Sequence, residues 1–330
     1  MFSSTNVRYA IWVCLTGVIL LFLAGCGGGQ QQRAVDLYVD AVILRELDEN
    51  EMAIERLNSA VKIDNRFPFA YSLLGDIYQE TKDYEKSAAS YEKATELNPW
   101  SFKDYFNLGR VYQIMKKFVQ AVKAYAKACE LKPDHLGAHI GAAESYYEIG
   151  DYNNALMAAE RAEKIDPDVS EIPKLLGDIY ESQKDYGQAI RSYKRALEVD
   201  SNNPDIMTSL AVAYIRANYN EPAKELLMSV TQIRPDNNVA YQYLGYCYLR
   251  LNDVARATQS YSRAIELNDK DWEAYRGLGV AYMLKAIDDE DEMLKARAIQ
   301  QWRLSLDLKP NQPNRERLLK YIEAYSKQNE

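Results

Sequence analysis

Side-chain catalysis needs a nucleophile beside a base, paired carboxylates in a pocket, or a cluster of metal ligands, and this 330-residue chain supplies few candidates. It has two histidines, His135 and His139, and four cysteines, Cys14, Cys26, Cys129 and Cys247. His135 falls in a turn and His139 on the packing side of a helix, so both read as packing or surface residues. Cys129 and Cys247 lie on apolar helix faces too far apart to pair, and read as free buried thiols. No phosphate-cradling glycine loop and no zinc spacing occurs in the sequence. A run of five acids, Asp288 to Glu292, lacks the alternating ligands and glycine of a calcium loop. It is expected as a solvated loop, so no metal site and no catalytic residue is assigned.

The thiol placed for chemistry is Cys26, in the stretch LLFLAGCGGGQQQ at residues 20 to 32. The apolar run before it, Ile11 to Ala24, is 14 residues long, whereas a bilayer span needs roughly 20 and a signal-peptide core about 7 to 15. Arg8 precedes the run and is the sole charged side chain before Arg33, which orients it as an export signal over residues 1 to 25. Leu23-Ala24-Gly25-Cys26 resembles a bacterial lipobox. That resemblance implies cleavage before Cys26 and a covalent lipid on Cys26, with no other cofactor. Residues 26 to 33 would then be a flexible tether. Gly27 is not the aspartate that retains such lipoproteins at the inner membrane, so the expected destination is a bacterial envelope, at the periplasmic face of the outer membrane.

The elements that carry these residues follow from periodicity. Tyr78, Tyr112, Tyr146, Tyr180, Tyr214, Tyr248 and Tyr282 recur every 34 residues. Small residues share the register at Ala53, Ser87, Ala121, Ala155, Ala189, Ala223 and Ala257, and prolines at Pro99, Pro133, Pro167 and Pro235. In the repeat FKDYFNLGRVYQIMKKFVQAVKAYAKACELKPDH, residues 102 to 135, Tyr105, Leu108, Gly109, Val111 and Tyr112 form one apolar face of a first helix. Ala121, Tyr125 and Ala128 do the same on a second, and Pro133 ends it. One such pair cannot bury both its faces, so neighbouring pairs must stack.

These columns resemble the tetratricopeptide repeat (TPR). The resemblance implies an all-α fold, a right-handed superhelical solenoid of about eight helical hairpins at residues 34 to 312, followed by a capping helix at 313 to 330. Seven repeats are regular; in the eighth the second helix resumes seven residues late, after the acidic run. Leu318, Leu319, Ile322 and Tyr325 make the apolar stripe of the capping helix. The first repeat departs most from the pattern, with Asp40, Ala41, Leu44 and Asn65 at family positions.

In the resembled fold the first helices line a groove. Projecting that register assigns an acidic stretch, Asp76, Glu80, Glu144, Glu148, Glu171, Asp178 and Glu181, and an apolar stretch with arginines, Val212, Ile215, Arg216, Tyr246, Leu249, Arg250, Val280, Met283 and Leu284. Apolar clusters of this kind mark protein interfaces. A net charge of −8 argues against nucleic acid. The implied function is a non-catalytic membrane-anchored scaffold that binds a protein or peptide of the cell envelope, with no small-molecule substrate. Assembly of a secretin or pilus complex and recruitment of cell-wall enzymes are the jobs this build suggests. Two alternatives stand beside it: an envelope enzyme using the acidic stretch, and a passive spacer.

Overall fold

In a computed structural model, residues 29 to 326 are described. Among them are 17 α-helices and no strand. The chain divides into two compact units, residues 1–133 and 134–330. The N-terminal unit holds three hairpins: α1 (Gly29–Glu46) with α2 (Asn50–Ile63), α3 (Pro68–Glu80) with α4 (Tyr84–Leu97), and α5 (Phe102–Ile114) with α6 (Phe118–Leu131). The C-terminal unit holds five: α7 (Leu136–Glu148) with α8 (Tyr152–Ile165), α9 (Glu171–Ser182) with α10 (Tyr186–Val199), α11 (Pro204–Arg216) with α12 (Asn220–Ile233), α13 (Asn238–Arg250) with α14 (Val254–Leu267), and α15 (Trp272–Asp288) with α16 (Glu292–Leu308). A last helix, α17 (Arg315–Ser326), follows. Within each unit every helix packs on the next, which makes each a short solenoid.

Turn chemistry sets the hairpins. Asp48, Lys82, Lys116, Gly150, Lys184, Asn218 and Asn252 all have positive φ, one per repeat in the same 34-residue register. The next residue then donates its N–H back to the carbonyl of the tyrosine column, as from Asp83 to Tyr78 (2.8 Å), Lys117 to Tyr112 (2.8 Å) and Asp253 to Tyr248 (2.8 Å). This left-handed closure satisfies the last carbonyls of the first helix. At Asp83, Asp151, Asp185 and Asp253 the same residue also opens the second helix, its carboxylate accepting a backbone N–H three residues on. A single position thus ends one helix and starts another.

Tight packing inside a hairpin comes from glycine meeting an aromatic ring. A Cβ on Gly75 would lie 2.7 Å from Tyr91, and one on Gly177 2.5 Å from Tyr193. Both rings are fully buried. The second helices therefore sit closer than any larger residue allows. Alanines and leucines at Ala53, Leu57 and Ala60 fill the same role in the first repeat, with no exposed surface.

Four expectations from the sequence need correction. Gly29 to Arg33, read as tether, already form the first turns of α1, helped by Gln32 donating to Asp36 one turn on (2.9 Å). The acidic run is solvated as expected, but only Asp289 to Asp291 form the connection: α15 and α16 are 17 residues each, against 13 and 14 for α13 and α14, which accounts for the seven inserted residues. There Glu290 takes the left-handed position and Asp291 caps α16, accepting from Met293 (2.8 Å) and Leu294 (3.0 Å). In α17, Leu318 and Ile322 are buried but Leu319 is 38% exposed, because three residues, not four, share the buried stripe. Cys129 is only half-buried, whereas Cys247 is fully buried.

Candidate protein-interaction surface

The first-helix face of the N-terminal unit is a closed charge network. Asp76, on α3, is 9% exposed. It accepts from the Tyr91 hydroxyl (2.7 Å) and from Lys103 Nζ on α5 (2.6 Å), while Arg45 of α1 stands 3.6 Å away and also pairs with Glu80. Ser72 donates to Asp104 of the next repeat at 2.5 Å. Buried carboxylates survive only when paired in this way. Burial, with Asp76 beside it, holds the Tyr91 phenol far above its ordinary range. Asp76 therefore binds the three repeats together. Glu80 is exposed but shares Arg45.

In the C-terminal unit the corresponding face is more open. Asp178, 26% exposed at its side chain, accepts from Tyr193 Oη (2.7 Å) and from Lys174 Nζ (2.7 Å). Glu181 accepts a longer bond from the same tyrosine (3.2 Å). Burial raises the Glu181 carboxyl above the usual carboxylate value, against the pull of Tyr193 and the Arg216 guanidinium. Ser182 reaches Tyr147 of α7 (3.2 Å), and Arg250 donates to Asn218 (3.0 Å). Glu148 and Glu171 are exposed and Glu144 is half-buried.

Of the expected apolar stretch, Tyr246, Val280 and Leu284 reach solvent, at 40%, 37% and 40%. Arg216 and Arg250 are exposed, and Val212 is half-buried. Ile215 and Leu249 instead lean on the core formed by Leu227, Leu244 and Leu278. Met283 is a correction: it is 5% exposed and clusters with Trp302, Leu318 and Ile322, because α17 closes over it. The capping helix thus removes that position from any binding surface. Cys26 lies outside the described residues.

Sequence reading overlooked the hydroxyls of Tyr91 and Tyr193, which hold Asp76 and Asp178. The signal was available as an aspartate followed 15 residues later by a tyrosine in both repeats. It also overlooked Tyr243, half-buried on α13, whose phenol is raised by burial and by Glu273, with Arg216 opposing. Glu181, Arg216, Tyr243 and Glu273 thus form a strip of alternating charge around an aromatic residue. His135 caps α7, its Nδ1 accepting from the Ala138 N–H (3.1 Å). Open clefts of about 390 and 210 Å³ lie away from this strip, one against Asp205, Arg234 and Val239 and the other against Met228, Tyr248 and Arg256. Among the described residues no group of His, Cys, Asp or Glu is placed to hold a metal, and no helix is long and apolar enough to cross a membrane.

Comparison with known proteins adds the family. Tetratricopeptide repeat profiles match residues 180–244 and 235–305, and a profile for subunit 3 of the anaphase-promoting complex, or cyclosome, matches 80–162. No curated protein matches the sequence. Among solved structures, a tetratricopeptide repeat protein of Parabacteroides merdae is similar at 16% identity and a TM-score of 0.58, over 77% of this chain and 97% of that one. The C-terminal part of a TPR repeat-containing protein of Cytophaga hutchinsonii reaches 0.59 at 16% identity, over 74% and 98%. The pilF protein of Pseudomonas aeruginosa reaches 0.52 at 20% identity, over 63% and 94%. At such identities the likeness speaks for the fold. The profile matches, together with the 34-residue register of turns, make the chain a tetratricopeptide repeat protein.

Proposed function

We propose that the chain is a non-catalytic scaffold that binds a protein partner on the first-helix face of its C-terminal unit. The observation that carries this reading is the open strip on α9 to α15, where exposed Arg216 and Arg250, beside half-buried Glu181, combine with exposed apolar surface at Tyr246 and Val280. Arginine and tyrosine are the residues enriched where interfaces concentrate their binding energy. The carboxylates here stand in an open face rather than a pocket, which favours recognition over acid–base chemistry.

The finer proposal is that the scaffold is held at a membrane by a lipid on Cys26. It rests on the apolar run and the lipobox-like Leu23-Ala24-Gly25-Cys26. In an envelope with two membranes the anchored protein would face the periplasm from the outer membrane, where helping a secretin, pilus or cell-wall complex assemble is a role of the right kind.

The test places a photo-crosslinking amino acid at Tyr246 in the full chain, expressed in cells. One envelope protein should be trapped, and the product should vanish when Arg216→Glu and Arg250→Glu are added to a chain that still folds. Crosslinks indifferent to those charges, or none at all, would leave the spacer reading in place. Ile215, Leu249 and Met283 are unsuitable targets, since a charge at any of them would disrupt packing.

A further inference from the structure

In the N-terminal unit the antiparallel alternation of helices brings the start of α1, the α2–α3 and α4–α5 turns and the end of α6 to one edge. Trp100 stands out of that edge at 78% exposure, and Phe69 at 49%. Phe69 is held by an edge contact with buried Phe67 (6.3 Å between centroids). Arg33, Lys62, Arg66 and Lys132 are exposed around them, and none is in an ion pair among the described residues. Lys132 instead lies over the Phe102 ring at 5.4 Å. The acids of this edge are already engaged: Glu96 with Lys93 (2.9 Å), Glu130 with Lys127 (2.7 Å), and Asp64 with the Arg66 backbone N–H (2.9 Å).

Equivalent turns of the C-terminal unit read Asp166-Pro167-Asp168, Asp200-Ser201-Asn202, Arg234-Pro235-Asp236-Asn237 and Asn268-Asp269-Lys270-Asp271, without an aromatic residue, and Arg234 is paired with Asp205 (2.8 Å). The opposite edge of the N-terminal unit exposes Leu47 and Val119, but sets them among Asp48, Glu49, Glu51 and Glu85 as well as lysines. This edge sets Trp100, more exposed than any other large apolar side chain among the described residues, beside basic residues that are in no ion pair.

We propose that this edge lies on the headgroups of an anionic bilayer, with Trp100 at the interface. The inference rests on the acylation of Cys26. From Cys26 to Gly29 is three residue steps, at most about 11 Å of chain, so a lipid on Cys26 would keep the start of α1 at the surface. Tryptophan favours the headgroup level of a bilayer, and lysine and arginine are drawn to anionic lipid within a screening length. Lipid anchors gain strength from a second signal of this kind.

The experiment uses the acylated full chain, purified from membranes and reconstituted into phosphatidylcholine–phosphatidylglycerol vesicles whose acyl chains are brominated. Bromine quenches indole emission on contact, and the Trp100→Tyr variant isolates the Trp100 share from that of Trp272 and Trp302. A loss of Trp100 emission that is reversed by Lys62→Glu with Arg66→Glu is the expected result. An acylated protein whose Trp100 emission is unquenched, or quenched regardless of the two charges, overturns the docking and leaves the anchor standing; Trp100 would then be free for a protein partner. A purified chain whose mass shows no acyl group removes the anchor and this inference together.

Discussion

The first-helix faces of the two units use the same residue types to opposite ends. Asp76 in the N-terminal unit is buried and held by a tyrosine, a lysine and an arginine from three successive repeats. In the C-terminal unit, Asp178 is open to water and paired within its own repeat, while Arg216 and Glu181 face one another across neighbouring repeats. What separates them is pairing and depth, not composition. A carboxylate enclosed by fixed cations holds repeats together; one at a half-open face remains free to change partner. The turns diverge in parallel: those of the N-terminal unit carry Phe67 and Trp100, and the equivalent turns of the C-terminal unit carry no aromatic residue.

The largest effect that tests this contrast is removal of the buried rings. Tyr91→Ala and Tyr193→Ala should each cost about 3–5 kcal/mol. Hydrogen exchange read unit by unit should localise each loss to the repeats around the missing ring, and a loss spread evenly over both units would dissolve the comparison. Next comes the hydroxyl alone. Tyr91→Phe leaves buried Asp76 short of a donor and should cost about 1–3 kcal/mol in urea unfolding, whereas water can replace the bond at Asp178, so Tyr193→Phe should cost less than about 1 kcal/mol. Equal costs would show the two carboxylates to be equivalent.

A smaller and opposite-signed pair lies in the turns. Lys116 and Gly150 hold the same left-handed position in successive repeats, at φ of 56° and 77°. Lys116→Gly should stabilise by about 1 kcal/mol and Gly150→Lys should destabilise by as much, measured by thermal melting. The smallest effect concerns Glu181. Its carboxyl binds a proton more tightly in the folded state, so its contribution to stability is complete below the ordinary carboxylate value of about 4.3 and declines as pH rises toward the folded value. Glu181→Gln should flatten that part of the stability–pH curve. An unchanged slope would mean that the carboxyl is not set apart by burial.

The repeat architecture was legible because each hairpin reuses the same short-range physics. Glycine opposite a ring, alanine at a close approach and proline after the second helix recur at fixed spacing, so Gly75 with Tyr91 could be anticipated from Gly109 with Tyr125. The candidate surface was legible only where the register stays regular. Tyr246, Arg216 and Arg250 are exposed as the register implies, but Met283 occupies the same column as Ile215 and Leu249 and is buried by α17. No periodicity within the eighth repeat contains that information, since the cover comes from a helix outside the register.

Sequence by itself determined the helices, their 34-residue hairpins and the apolar columns, because these depend on contacts within a repeat and with its immediate neighbours. Tertiary structure decided three further things. It showed that the acidic run extends a hairpin and caps its second helix, that Asp76 is enclosed while Glu181 is not, and that Trp100 and four unpaired basic residues share one edge. Each depends on how deep a side chain lies and which charges from other helices surround it, and residue spacing encodes neither.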